Sequence, residues 1–295
     1  MLETPHPPGP PLPAGREGVG EGPGVRGSWR PAPLVAGSAA LHVAGAAALG
    51  LAPQAWPAIL GCLFADHLLL AANGLWPQSP FLGPALSRLP EDAARRGEVA
   101  LTFDDGPDPI VTPRVLDRLD EAGAQASFFC IGRRVAAHPE IVREIARRGH
   151  RVENHTWSHP HLFVCYPPAE QRREMERTQE VIEEAAGRRP AFFRSPAGFR
   201  NPFLDRELWA AGLSLAAWSR RGYDTLERDP AKVAARLLRG LEPGDVLLLH
   251  DGSALSDGGN RVALEALPRV LDDLSRRGLR SVPLGAGAGA GIRTP

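Results

Sequence analysis

The chain has 295 residues, 34 Lys and Arg balanced by 34 Asp and Glu, and three cysteines. A formal charge of zero excludes the basic excess of a general nucleic-acid binder, so no nucleic-acid partner is expected. Three cysteines exclude a disulfide framework. Cys62, Cys130 and Cys165 read as small buried or half-buried residues.

Residues 1–33 hold 16 Gly or Pro and almost no apolar periodicity, so they read as a disordered leader. Two apolar stretches follow, at 34–52 and 55–72, and region 34–76 reads as two transmembrane helices. Trp56 and Trp76 flank the second stretch as interfacial aromatics do. Asp66 and His67 interrupt it. A charge at membrane depth is costly and often functional, the plainer reading being a segment at the interface or packed on its neighbour. Arg26 and Arg30 precede the pair and Arg88, Arg95 and Arg96 follow it, with no charge at Pro53 and Gln54 between. The positive-inside rule favours a membrane-associated hairpin with both ends in the cytoplasm over an exported catalytic region.

From residue 97 strand and helix patterns alternate. Strands are expected at 98–103, 126–131, 151–155, 191–196, 213–219, 245–251 and 279–284. Helices are expected at 112–123, 139–149, 168–187, 203–212, 230–240 and 262–277. This is α/β order, a parallel sheet covered by helices, and it predicts a (β/α) barrel with an open doubly wound sheet as the alternative. No Gly-rich phosphate loop follows the first strand. Residues 285–295 read as a disordered tail.

Polar residues gather where the strands end. Asp104 and Asp105 precede Gly106-Pro107, an arrangement that ordinary turn chemistry also produces. His155 and His159, four apart, place two imidazoles on one face of a helical turn and suit a metal. Two His and a carboxylate form a recurrent ligand set with open positions. His161 reads as a surface or supporting residue; His6, His42, His67, His138 and His150 read as structural or exposed. Arg194-Ser195-Pro196-Ala197-Gly198 offers a cation and a backbone N–H for an oxyanion. Asp224 follows another strand, and His250 ends the apolar run 246–249.

Together TFDDGP (102–107), HTWSH (155–159), RSPAG (194–198), the Trp218–Asp224 segment and LLLH (247–250) resemble the five ordered motifs of polysaccharide deacetylases, the NodB-homology group of carbohydrate esterase family 4. The resemblance covers about residues 97–284. It implies a distorted (β/α) barrel and metal-dependent hydrolysis of an N-acyl amino sugar. It implies Asp105, His155 and His159 as ligands of a divalent metal, Zn2+ first, with Co2+, Ni2+ or Mn2+ also suited. It implies Asp104 as general base, Arg194 as its orienting cation, and His250 as general acid with Asp224 raising its pKa. The Ala197 N–H would stabilise the oxyanion, and Leu248 would line the acyl pocket. Arg221 and Thr225 stand where the fourth motif has its first acidic residue and its Trp, and Ala197 stands where many members have Tyr. These changes touch the substrate groove and favour a small or lipid-linked sugar over a polymer. A catalytically silent carbohydrate-binding relative is the alternative, and intact Asp104 and His250 argue against it.

Overall fold

The computed structural model describes residues 28–253 and 260–286. The expected leader up to residue 27 and the expected tail from residue 287 lie outside the described residues.

Two long helices come first, α1 (Pro33–Leu51) and α2 (Trp56–Gly74), each with Pro in its first turn, where no N–H is needed. Both are long and apolar enough to cross a membrane. Val43, Phe64 and Leu68 lie exposed along them, so the pair buries little apolar surface within the molecule. The far end of α2 is fastened to the rest of the chain. The Arg200 N–H donates to the Gly74 carbonyl at 2.9 Å, and the Ser79 hydroxyl donates to Asn73 at 2.7 Å. The buried Arg200 guanidinium donates to the Ser79 and Gly83 carbonyls. A Cβ on Gly74 would collide with the Arg200 carbonyl, so only glycine fits this junction.

A short helix, α3 (Glu91–Arg95), leads into a sheet of eight strands. These are β1 (Glu98–Asp104), β2 (Ala126–Cys130), β3 (Arg151–Asn154), β4 (Phe192–Phe193), β5 (Ser214–Leu215), β6 (Arg220–Arg221), β7 (Val246–His250) and β8 (Arg280–Ser281). Their order is β5-β4-β3-β2-β1-β7-β6, all parallel, with β8 beside the start of β1. The connecting helices are α4 (Val111–Glu121), α5 (Gly132–Ala137), α6 (Pro139–Arg147), α7 (Pro168–Ala186), α8 (Leu204–Ala210), α9 (Pro230–Leu238) and α10 (Arg261–Arg276). The curled parallel sheet with its helices is a distorted (β/α) barrel, the architecture that the alternating pattern predicts.

The barrel is incomplete, because β5 and β6 do not pair among the described residues. The segment before α3 spans that gap. The Leu86 N–H donates to the Leu215 carbonyl at 2.9 Å, and the Ala217 N–H donates to the Leu86 carbonyl at 2.8 Å. Two residues on, Arg88 bridges Asp245 in antiparallel sense, and the Leu89 N–H donates to the Gly244 carbonyl at 2.7 Å.

Strand alternation sorts the side chains into two cores. Leu101, Phe103, Leu247 and Leu249 face the outer helices and pack with Val115, Leu119, Ile145, Leu237 and Leu267. Ala100, Val246 and Leu248 face inward with Phe129 and Trp218. The same period directs Thr102 and Asp104 of β1, and His250 of β7, to the inner face. Asp104 and His250 are register partners across the β1–β7 pair.

Two readings of the sequence need correction. Cys130 is buried as expected, but Cys62 and Cys165 are exposed. Cys62 lies on the uncovered face of α2, and in the turn Phe163–Cys165 it is Phe163 that occupies the buried position. Helix α5 and strand β6 were not expected either: six residues with Val135 as the main apolar anchor, and an Arg-Arg pair, carry too little periodic signal.

Candidate active site

The turn after β1 reverses sharply. Asp105 has a left-handed backbone (φ 72°) and the Gly106–Pro107 peptide is cis. A Cβ on Gly106 would run into the Asp251 carboxylate. This turn lets Asp104 and Asp105, adjacent in sequence, reach one cavity.

Asp105 meets both imidazoles. Its Oδ1 lies 3.4 Å from His155 Nε2 and 3.3 Å from His159 Nε2. The three ligand atoms all fall within 4.8 Å of one another. The His155 Nδ1–H donates to the Arg194 carbonyl at 2.8 Å, which leaves its Nε2 lone pair toward Asp105. One carboxylate and two imidazoles, oriented from behind by a backbone carbonyl, fit a divalent transition metal. Burial opposes ionisation of Asp105, but His155, His250 and His159 outweigh it and hold its carboxyl well below the usual range. Burial, aided by His155, lowers His159 to about 4, so it is a neutral donor at pH 7.

The loop that carries the two histidines is not a helical turn. Thr156 (φ 64°) and His159 (φ 53°) are left-handed, and the chain there is irregular. The carboxylate of Glu174 on α7 accepts the N–H groups of Trp157 and Ser158 and the Ser158 hydroxyl, each at 2.9 Å. Thr156 Oγ1 accepts the His159 N–H at 3.0 Å. These bonds, rather than helical spacing, bring the two rings to 4.8 Å between centroids.

Beside this triad Arg194 is wholly buried, and its Nη1 lies 2.6 Å from Asp104 Oδ1. The guanidinium also donates to Thr102 Oγ1 at 2.9 Å and to the Ala217 carbonyl at 3.0 Å, over the Phe129 ring at 4.0 Å. A buried carboxylate held this way keeps one oxygen engaged while the other remains for a proton.

On the opposite wall, the Asp224 carboxylate accepts the His250 N–H at 2.8 Å and its Nδ1–H at 3.0 Å. Asn260, the N-cap of α10, adds a third donor at 3.1 Å. Burial lowers the His250 pKa, but Asp224, with Asp105 and Asp104, overcomes it and raises the ring to about 9.

Asp104, Asp105, His155, His159, Asp224, His250 and Asn260 line one cavity of about 310 Å³, and Arg194 lies buried behind Asp104. Ala197, Leu248, Arg221 and Thr225 line it too, with Trp218 and the exposed His161. The site residues expected from sequence therefore converge here, all on the cavity wall except Arg194, which reaches it through Asp104. The non-glycine residues with left-handed backbones among those described are Asp105, Thr156, His159, Ala197 and Tyr223, all in or beside these motifs. Strain at L-residues gathers where function fixes the backbone.

Sequence reasoning missed Glu174, Asn260 and Asp251. Asp251 follows His250, is fully buried, accepts the Thr112 hydroxyl, and donates its N–H to the Asp104 carbonyl at 3.2 Å. Burial raises its carboxyl to about 7. The signals were slight: an acid after a candidate general acid, an Asn before a helix, and one Glu in a polar helix.

A buried Asp–His–His cluster at the strand ends of a (β/α) barrel, next to an Arg-held carboxylate and an Asp-held imidazole, is the layout of a hydrolase. A sequence model of polysaccharide deacetylases matches residues 91–216. A peptidoglycan-N-acetylglucosamine deacetylase of Bacillus cereus is 35% identical over 193 residues, which are 64% of this chain and 67% of that one. A chitooligosaccharide deacetylase of a Bradyrhizobium species is 35% identical over 201 residues, 65% of this chain and 91% of that one. The crystal structure of a peptidoglycan N-acetylglucosamine deacetylase superposes with a TM-score of 0.61 at 32% identity, covering 68% of this chain and 90% of that one. The chain belongs to the polysaccharide deacetylase family, hydrolases of carbon–nitrogen amide bonds.

Proposed function

We propose that this protein removes an N-acyl group, acetyl or formyl, from an amino sugar with the help of a divalent cation. The observation that carries the reading is the convergence on one cavity of Asp105, His155 and His159 with the Asp104–Arg194 and His250–Asp224 pairs. The relatives named for N-acetylglucosamine and chitooligosaccharide deacetylation support it.

Asp105, His155 and His159 would hold the cation, with Zn2+ as first choice for N and O donors. When bound, it supplies Lewis-acid polarisation of the acyl carbonyl and acidifies water. Asp104, oriented by Arg194, accepts the proton of the attacking water. The Ala197 N–H donates to the developing oxyanion. His250, kept protonated by Asp224, donates to the departing amine. Leu248 bounds the acyl group and limits its size.

Arg221 places a cation on the cavity wall, its guanidinium 5.4 Å from the Trp218 ring centroid. This supports a substrate with an anionic group near the sugar, such as a lipid-linked sugar phosphate. The exposed apolar faces of α1 and α2 support a membrane hairpin, and the arginines flanking it support a cytoplasmic barrel. Incubation of the full chain with N-acetylated and N-formylated sugars, polymeric, oligomeric and lipid-linked, tests the reading by released acetate or formate. No acid from any of them, with metal supplied, would overturn it. A reporter fused after Pro295 tests the topology, and activity on the exported side would reject it.

A further inference from the structure

The two apolar helices carry a second cluster of metal-ligating side chains that the deacetylase chemistry does not use. His42 lies on α1, nine residues from either end of that helix, and Asp66 and His67 lie near the middle of α2. Sequence reading leaves the two histidines unconnected, 25 residues apart in the chain. The hairpin brings them together, with ring centroids 5.2 Å apart at an interplanar angle of 68°. The ligand atoms of His42, Asp66 and His67 all lie within 4.8 Å of one another, the same limit that Asp105, His155 and His159 meet in the barrel.

The surroundings orient all three. The His42 Nδ1–H donates to the Ser38 carbonyl at 2.8 Å, and the His67 Nδ1–H donates to the Leu63 carbonyl at 2.7 Å. A carbonyl only accepts, so each ring carries its proton on Nδ1 and presents Nε2 as a lone pair. The Ser38 hydroxyl donates to Asp66 Oδ2 at 2.6 Å, fixing the carboxylate across the helix pair. Backbone carbonyls on the far nitrogen of each histidine, and a hydroxyl on the carboxylate, are the supports that metal-ligating groups use. Two imidazoles and a carboxylate in the middle of apolar helices are costly to desolvate unless something neutralises and coordinates them.

We infer that His42, Asp66 and His67 form a second divalent-metal site, one that clasps α1 to α2 and takes Zn2+ or a similar borderline transition ion. Its donor set is two nitrogens and one oxygen, which selects against Mg2+ and Ca2+. A fourth position stays open to water.

The test is the zinc content of the full chain, purified in detergent and equilibrated with Zn2+. Two zinc ions per chain are expected. The pair His42→Ala and His67→Ala should lower this to one and leave acid release unchanged, since neither residue belongs to the catalytic cavity. The complementary variant His155→Ala with His159→Ala should also retain one zinc, held by the hairpin. Should that variant fold poorly, the single-step loss in the first carries the test by itself. A zinc content unaffected by His42→Ala and His67→Ala, or a wild-type content of one that vanishes with His155 and His159, would overturn the site.

Discussion

The Asp224 carboxylate grips His250 twice, accepting its backbone N–H at 2.8 Å and its Nδ1–H at 3.0 Å. A carboxylate bonded to the ring favours the imidazolium and raises the pKa, here to about 9 against burial. A general acid must be protonated, so activity should fall as pH rises through the His250 pKa, and a cation in the cavity would draw that limb downward. Asp224→Asn removes the charge and keeps the shape. The alkaline limb of kcat/KM should then move down by a unit or more while the acid limb stays. An unmoved alkaline limb would detach Asp224 from the proton donor.

Adjacent Asp104 and Asp105 have opposite surroundings. Asp104 Oδ1 is held by Arg194 at 2.6 Å, whereas Asp105 Oδ1 faces the two histidine Nε2 atoms at 3.4 and 3.3 Å. Asp104→Asn should keep the metal and lower turnover by roughly 10²–10⁴, with no rescue by added metal. Asp105→Asn should weaken metal affinity, and added metal should partly restore turnover. Metal stoichiometry and turnover across a zinc titration separate the two. Metal loss in Asp104→Asn with retention in Asp105→Asn would exchange the roles.

His150 supplies a stability prediction away from the metal ligands. It is buried, its Nδ1 accepts the Ala126 N–H at 3.2 Å, and its ring lies edge-on to Phe128. Burial lowers its pKa from 6.5 to about 4, so the unfolded chain takes up the proton first as pH falls. The stabilisation is fully present above pH 6.5 and is lost as pH falls through about 4. His150→Asn keeps an acceptor and removes the titration. Between pH 7 and 4.5 it should lose less stability than the parent, by about 2 kcal/mol at 1.36 kcal/mol per pKa unit. Urea unfolding at both pH values measures this, and parallel losses would refute it.

Much of this architecture was legible because alternation and periodicity are local. The run 246–250 alternates Leu247 and Leu249 outward against Leu248 and His250 inward, so a histidine ending that run already signals a lined cavity. The geometry of 155–159 was not legible. Spacing suggests a helical turn, but Glu174, far along the chain, imposes an irregular loop through three bonds. The meeting of His42 with His67 was hidden for a related reason. It depends on the crossing of two helices whose Ala-rich sequences carry little register information.

The seam of the barrel leads to the last prediction. The alternating pattern begins at residue 97, yet the segment 82–89 spans the β5–β6 gap, bonding to Leu215 on one side and to Gly244 on the other. Leu82 and Leu89 are buried there, and Arg88 lies 2.7 Å from Asp245, whose side chain is wholly inaccessible. Arg220, at 2.8 Å, is the other cation on that carboxylate. We propose that the catalytic unit starts near residue 77. A fragment of 77–286 should fold without the helix pair, whereas 90–286 removes two buried leucines, worth about 1.5–3 kcal/mol each, and opens the seam. At about 2–4 °C per kcal/mol for a unit of this size, the shorter fragment should melt roughly 10–20 °C lower. Thermal unfolding of both fragments at matched zinc decides the matter. Equal melting temperatures would return the boundary to residue 97 and make the seam segment a passive cover.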